Sequence, residues 1–156
     1  MPELAAGDPA PDFDLPSTEG RNIRLAEFAG RPVVVFFYPR DMTSGCTVEA
    51  CAFEAALGDF SALDAVILGV SRDSVESHHA FRAKEGLTFP LLADVDGDVC
   101  ERYGVWKKKT MIGRAGGMGI ERTTFVIGSD GRVARVFPKV KVEGHHEEVL
   151  AAVQAL

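Results

Sequence analysis

The stretch Val33-Val34-Val35-Phe36-Phe37-Tyr38-Pro39-Arg40-Asp41-Met42-Thr43-Ser44-Gly45-Cys46-Thr47-Val48-Glu49-Ala50-Cys51 carries more structural information than any other part of the chain. Its first five residues form the most apolar run in the protein, short, β-branched and aromatic, which predicts a strand buried on both faces. Turn chemistry follows in Pro39, Ser44 and Gly45. A helical pattern then begins at about Cys46 or Thr47, with Val48, Ala52, Phe53, Ala56, Leu57 and Phe60 as its expected inner face and an end near Leu63. Cys46 therefore sits where a buried strand has ended and a helix starts. Free N–H groups and the helix macrodipole favour negative charge at that position, and the thiolate is the reactive form of cysteine. Thr43 and Thr47 add hydroxyl donors nearby, and Pro39 offers no backbone donor and shields a thiol from water. A free cysteine is also commonly a small core residue, so position alone leaves both readings open.

Outward from this centre, Gly7 to Pro16 reads as an extended edge piece, Ser17–Gly20 as a turn and Asn22–Leu25 as a short partner strand. Leu25 to Phe28 is one helical turn stopped at Gly30. Downstream, Val66 to Val70 is a second apolar strand, and a helix N-capped by Ser74 runs to Glu85 and ends at Gly86. Leu91–Ala93 is a short strand, Asp94–Gly97 a turn and Val99–Tyr103 a short helix. Val105 to Ile120 is glycine-rich and reads as irregular. Thr123–Ile127 and Val133–Phe137 flank the turn Ser129-Asp130-Gly131, and His145 to Leu156 is a last amphipathic helix. Strands alternating with helices and closed by a hairpin predict an α/β class with a mixed central sheet. No linker or repeat divides the 156 residues, so they are read as one domain, 1–156.

A net charge of −6 argues against a nucleic-acid partner. No apolar run reaches membrane-spanning length, and the N-terminus shows neither a basic region nor an apolar core of a secretory signal, so a cytoplasmic protein without a membrane partner is expected. Three cysteines, an odd number, suit reactive rather than structural thiols. The pairs His78-His79 and His145-His146 chelate poorly, because adjacent helical residues point about 100° apart.

The pattern Pro39-x-x-x-Thr43-x-x-Cys46, with a second cysteine at Cys51, resembles the active-site signature of the peroxiredoxins, and in particular their Q-type or bacterioferritin-comigratory subgroup. The likeness runs from about Gly7 to Leu150 and includes Leu68-Gly69-Val70-Ser71-Arg72-Asp73-Ser74, Phe89-Pro90-Leu91-Leu92-Ala93-Asp94 and Arg122-Thr123-Thr124-Phe125-Val126-Ile127. It implies a thioredoxin-like fold with an N-terminal extension and a mixed central sheet flanked by helices. It implies a thiol-dependent peroxidase acting on hydrogen peroxide and organic hydroperoxides, with no metal, haem or flavin. Cys46 would be the peroxidatic cysteine, Cys51 the resolving one, and thioredoxin or a similar dithiol the reductant. Arg122 would reach the sulfur and hold it ionised, Thr43 would help to stabilise charge on the reacting oxygens, and Glu49 would orient Arg122. A monomer or a weak homodimer is expected. The chain departs from the family in the small residues of 111–119, where relatives often carry aromatics, and in Ser44, which replaces a common proline. Cys100 reads as a half-buried spacer.

If Cys46 and Cys51 share one regular helix, their Cα atoms lie about 8.6 Å apart. A disulfide requires about 7 Å or less and converging Cβ vectors, so pairing requires the first turns to unwind. A different class of reading is a redox-switched binding module or holdase without turnover. A disulfide reductase is disfavoured because no Cys-x-x-Cys occurs.

Overall fold

A computed structural model describes residues 4–108 and 117–156. In chain order the elements are β1 (Asp14–Pro16), β2 (Asn22–Arg24), a 3-10 turn (Leu25–Phe28), β3 (Val33–Phe37), α1 (Ser44–Ala55), α2 (Leu57–Ser61), β4 (Val66–Ser71), α3 (Val75–Glu85), β5 (Leu91–Ala93), α4 (Asp98–Arg102), β6 (Trp106–Lys108), β7 (Met118–Ile120), β8 (Thr123–Ile127), β9 (Val133–Phe137) and α5 (His145–Gln154). Five strands form the central sheet in the order β5-β4-β3-β8-β9. β3 runs parallel to β4 and antiparallel to β8, so the sheet is mixed, as expected.

All five residues of β3 are buried because the sheet is covered on both faces. Side chains alternate across the strand. Val33, Val35 and Phe37 join Leu68, Val70, Phe125 and Tyr103 on one side. Val34, Phe36 and Tyr38 join Phe53 and Phe60, Phe81 of α3 and Val149 of α5 on the other. The N-terminal hairpin β1–β2 and α4 cover the first face, and α1, α2, α3 and α5 cover the second.

The Ser74 hydroxyl accepts from Ser77 N at the start of α3, and Gly86 closes that helix in the left-handed region (φ 68°). Elsewhere the structure corrects the boundaries. α1 starts at Ser44 rather than at Cys46 or Thr47, and the helix expected to continue to Leu63 breaks at Ala56 into α1 and α2. α4 begins one residue earlier than expected, at Asp98. The stretch read as irregular contains a two-stranded pairing, Trp106 opposite Ile120 and Lys108 opposite Met118. Cys100 is fully buried, not half-buried. Residues 111–116 of the unusual glycine-rich segment lie outside the described residues.

Candidate active site

β3 delivers the chain to the top of the sheet, and the segment 38–43 turns it into α1. Met42 takes a positive φ of 66° in that turn. A buried polar network fixes the turn from beneath. The Asp41 carboxylate accepts from Tyr38 Oη at 2.6 Å and Ser77 Oγ at 2.8 Å, and His78 Nδ1 lies 2.7 Å away. The backbone N–H of Asp41 donates to Asp73 at 2.8 Å. Burial would push the Asp41 carboxyl up, but the hydrogen bonds from His78, Tyr38 and Ser77 hold it below the ordinary carboxylate range. Asp41, Asp73 and His78 could in principle ligate a metal, yet these bonds, that from Ser71 Oγ to Asp73 Oδ2 (2.7 Å) and that between His78 Nε2 and Leu92 O (2.8 Å) already engage both Asp41 oxygens, both His78 nitrogens and Asp73 Oδ2. His78 thus anchors a loop, a role the doublet His78-His79 did not suggest.

Cys46 is the third residue of α1 and is only 1% exposed. The first helical bond in this turn runs from Thr47 N to Thr43 O at 2.9 Å, which leaves the preceding N–H groups without helical partners. Arg122, immediately before β8, supplies the charge. Antiparallel pairing sets Thr123 opposite Phe37, so the start of β8 lies beside the end of β3. Arg122 Nη2 donates to Cys46 Sγ at 3.2 Å, and Nη1 donates to Glu49 Oε1 at 2.6 Å. One planar fork therefore spans the sulfur and the carboxylate. Gly45 lies against it: a Cβ there would stand 3.2 Å from Arg122 Nη2.

Glu49 is buried, and among the described residues its Oε2 has no hydrogen-bond partner. Burial pushes its carboxyl up to about 7, against the opposing pull of the Arg122 guanidinium. The same two acidic neighbours, Glu49 and the Cys46 sulfur, hold the Arg122 guanidinium firmly protonated although burial works the other way.

Thr43 caps no helix N–H. Its hydroxyl donates to Arg40 O at 2.9 Å, so its oxygen is left as an acceptor and not as the donor expected from sequence. Pro39 is exposed, and with Arg40, Thr43 and Arg122 it borders an open cleft of about 800 Å³, whose far wall includes Trp106, Ile120 and Val140. The arrangement brings Cys46, Glu49 and Arg122 into contact and sets Pro39 and Thr43 on the cleft. Cys51 lies apart on the opposite flank of α1, partly buried, with its thiol 3.6 Å from Glu85 Oε1 at the end of α3. Cys100, its thiol pushed above the ordinary range by burial and by Asp94, joins the other core face.

Such a site can attack an electrophilic oxygen with a sulfur held against a cation and a helix start. Comparison with known proteins agrees. Residues 6–136 match the AhpC/TSA family. The chain is 47% identical over 149 residues to peroxiredoxin Bcp of Xanthomonas campestris, covering 94% of this chain and 92% of that protein. It is 44% identical over 147 residues to peroxiredoxin Bcp of Bacillus subtilis, covering 94% and 93%. Among solved structures, the Xanthomonas campestris bacterioferritin comigratory protein, studied for alkyl peroxide reduction, superposes with a TM-score of 0.89 at 43% identity over 97% of this chain and 98% of that one. A PrxQ mutant of Xylella fastidiosa gives 0.92 at 38% identity, over 99% and 98%. These neighbours carry the thioredoxin fold expected from the sequence, and among the described residues no helix is long and apolar enough to cross a membrane. The chain belongs to the AhpC/TSA family, within its bacterioferritin-comigratory or Q-type peroxiredoxins, and is a thiol peroxidase.

Proposed function

We propose that Cys46 is the peroxidatic nucleophile and Cys51 the resolving thiol of an enzyme that reduces hydrogen peroxide and organic hydroperoxides in the cytoplasm. The observation that carries this reading is the Arg122 fork, which touches the Cys46 sulfur and the buried Glu49 at once. The Cys46 thiolate attacks the terminal peroxide oxygen. An S–O bond forms, the O–O bond breaks, and water or an alcohol leaves after taking up a proton. Arg122 and the free N–H groups at the start of α1 stabilise negative charge spread over the two oxygens. The Thr43 oxygen, its own proton engaged by Arg40 O, accepts from the hydroperoxide O–H and fixes its approach. Pro39 excludes water from one side, and Glu49 orients Arg122. Cys51 then attacks the Cys46 sulfenic acid, water leaves, and the disulfide is reduced by exchange with thioredoxin or a similar dithiol. The enzyme acts as a monomer or weak homodimer, without a cofactor.

Steady-state peroxide consumption with thioredoxin and its reductase tests the assignment. Cys46→Ser should abolish turnover, since a hydroxyl does not ionise near neutral pH. Cys51→Ser should consume one equivalent of peroxide, leave a trappable sulfenic acid and lose nearly all coupled turnover. Full turnover in the first variant removes Cys46 as nucleophile; full turnover in the second removes Cys51 as resolver. A wild-type protein that oxidises once and then stops would instead be a redox switch.

A further inference from the structure

The contact between Cys51 and Glu85 belongs to none of the steps just described. Cys51 Sγ donates to Glu85 Oε1 at 3.6 Å. Glu85 is the last residue of α3, and a carboxylate there opposes the helix macrodipole, so it does little for its own helix. Among the described residues no Lys, Arg or His forms an ion pair with it. Three residues after Cys51, Glu54 of α1 accepts from Thr88 N and Thr88 Oγ1, both at 2.7 Å. Two carboxylates thus tie this flank of α1 to α3 and the segment after it, one of them through Cys51. Burial, then Glu85, then Glu54 push the Cys51 thiol up.

We propose that Glu85 is a brake on disulfide formation, a positioning residue that holds Cys51 as a thiol on the α3 side and lengthens the life of the Cys46 sulfenic acid. The inference rests on Cys51 being the resolving cysteine. Cys46 faces Arg122 and Cys51 faces Glu85 from one continuous helix, about 140° apart around its axis. Cys51 must leave α3 before its sulfur can reach Cys46. The contact with Glu85 is therefore made in the resting state and broken in the transition state, and such a contact raises the barrier rather than lowering it. For the same reason Glu85 is not a general base for the attack: the sulfur has moved away when the proton is lost to solvent. A longer-lived sulfenic acid has more time to meet a second hydroperoxide, which transfers an oxygen to give sulfinic acid while it is itself reduced to water or alcohol.

Glu85→Gln keeps the shape and removes the charge. Single-turnover mixing of the full-length protein with hydrogen peroxide, quenched by alkylation and read by mass spectrometry, follows sulfenic acid, Cys46–Cys51 disulfide and sulfinic acid separately. The peroxide step should match wild type. Disulfide formation should be about three- to tenfold faster, the order expected from removing one charge beside a thiol. Sulfinic acid at a fixed peroxide dose should fall by the same factor. A fall in the urea midpoint would mean that α1 is loosened indirectly, so Glu54→Ala serves as control: it removes the Thr88 tie without touching the Cys51 S–H, and should accelerate the step less. An unchanged or slower disulfide step in Glu85→Gln, or equal acceleration in the two variants, overturns the brake. Absence of any Cys46–Cys51 disulfide in wild type is a separate result, which removes the resolving role of Cys51 itself.

Discussion

Gly45 is small because Arg122 occupies the space its side chain would need. The guanidinium is held at both ends, by Cys46 and by Glu49, and has little freedom to give way. Gly45→Ala should therefore displace the fork and slow the peroxide step by about ten- to a hundredfold with the fold intact, a cost typical of a misplaced reacting group. Stopped-flow rates with peroxide check this, and a wild-type rate would mean that the fork tolerates displacement. Glu49 makes a second prediction. Its carboxyl titrates near 7 in the folded protein against an ordinary value of 4.5. Between those values the native state binds more protons than the unfolded state, so this contribution to stability is present below 4.5 and lost as pH rises to about 7. Glu49→Gln lacks the titration, so between pH 5 and pH 8 wild type should lose about 2–3 kcal/mol relative to the variant in urea unfolding. Parallel pH curves would show that Arg122 keeps the carboxylate ionised throughout. The positions of Cys46 and Thr43 were legible in one fixed spacing, and that of Arg122 in a cation that opens an apolar strand. The burial of Glu49 was not legible: the resemblance implies Arg122 as its partner, but an acid near a helix start normally faces water, and nothing in the residue type announces that the carboxylate is enclosed.

At the scale of elements, the inner face expected of the first helical stretch holds at Phe53, Ala56 and Phe60, all buried, and fails at Val48. The buried stripe of α1 is Cys46, Glu49, Ala50 and Phe53, a regular helical spacing, but it includes a charged residue, while the apolar Val48 is 57% exposed. A hydrophobic pattern alone turns the helix the wrong way there. The pairing of β6 with β7 was equally hidden, because Trp106-Lys107-Lys108 and Met118-Gly119-Ile120 are too short to display alternation. Phe53 fixes one end of α1: its ring stacks on Phe36 at 4.9 Å and meets His145 edge-on at 5.9 Å. If Cys46 and Cys51 pair as proposed, the helix must unwind before that anchor. Hydrogen exchange should show amides 47–52 losing protection in the oxidised protein, with protection retained beyond Phe53. Equal protection of 47–52 in both redox states would mean that Cys46 and Cys51 do not pair.

Across the whole molecule, the strand and helix order was readable because each central strand is either continuously apolar or bounded by clear turns, while the strand order β5-β4-β3-β8-β9 depends on contacts no local pattern reveals. Gly69, at the middle of β4, is one such contact: a Cβ there would lie 2.8 Å from the Phe36 ring and 2.9 Å from Leu91 Cδ2. Gly69→Ala should cost about 1–3 kcal/mol by overpacking, read as a lower urea midpoint, and an unchanged midpoint would show that Phe36 repacks freely. The antiparallel match of β8 to β3 has a consequence in time. Arg122 follows Cys46 by 76 residues and reaches it only through that pairing. At about 5–20 residues per second, a ribosome makes Cys46 some 4–15 s before it makes Arg122. During that interval the nascent chain carries the Cys46 sulfur without Arg122 beside it. On the function proposed above, the chain becomes a peroxidase when its closing hairpin docks, not when its cysteine is made.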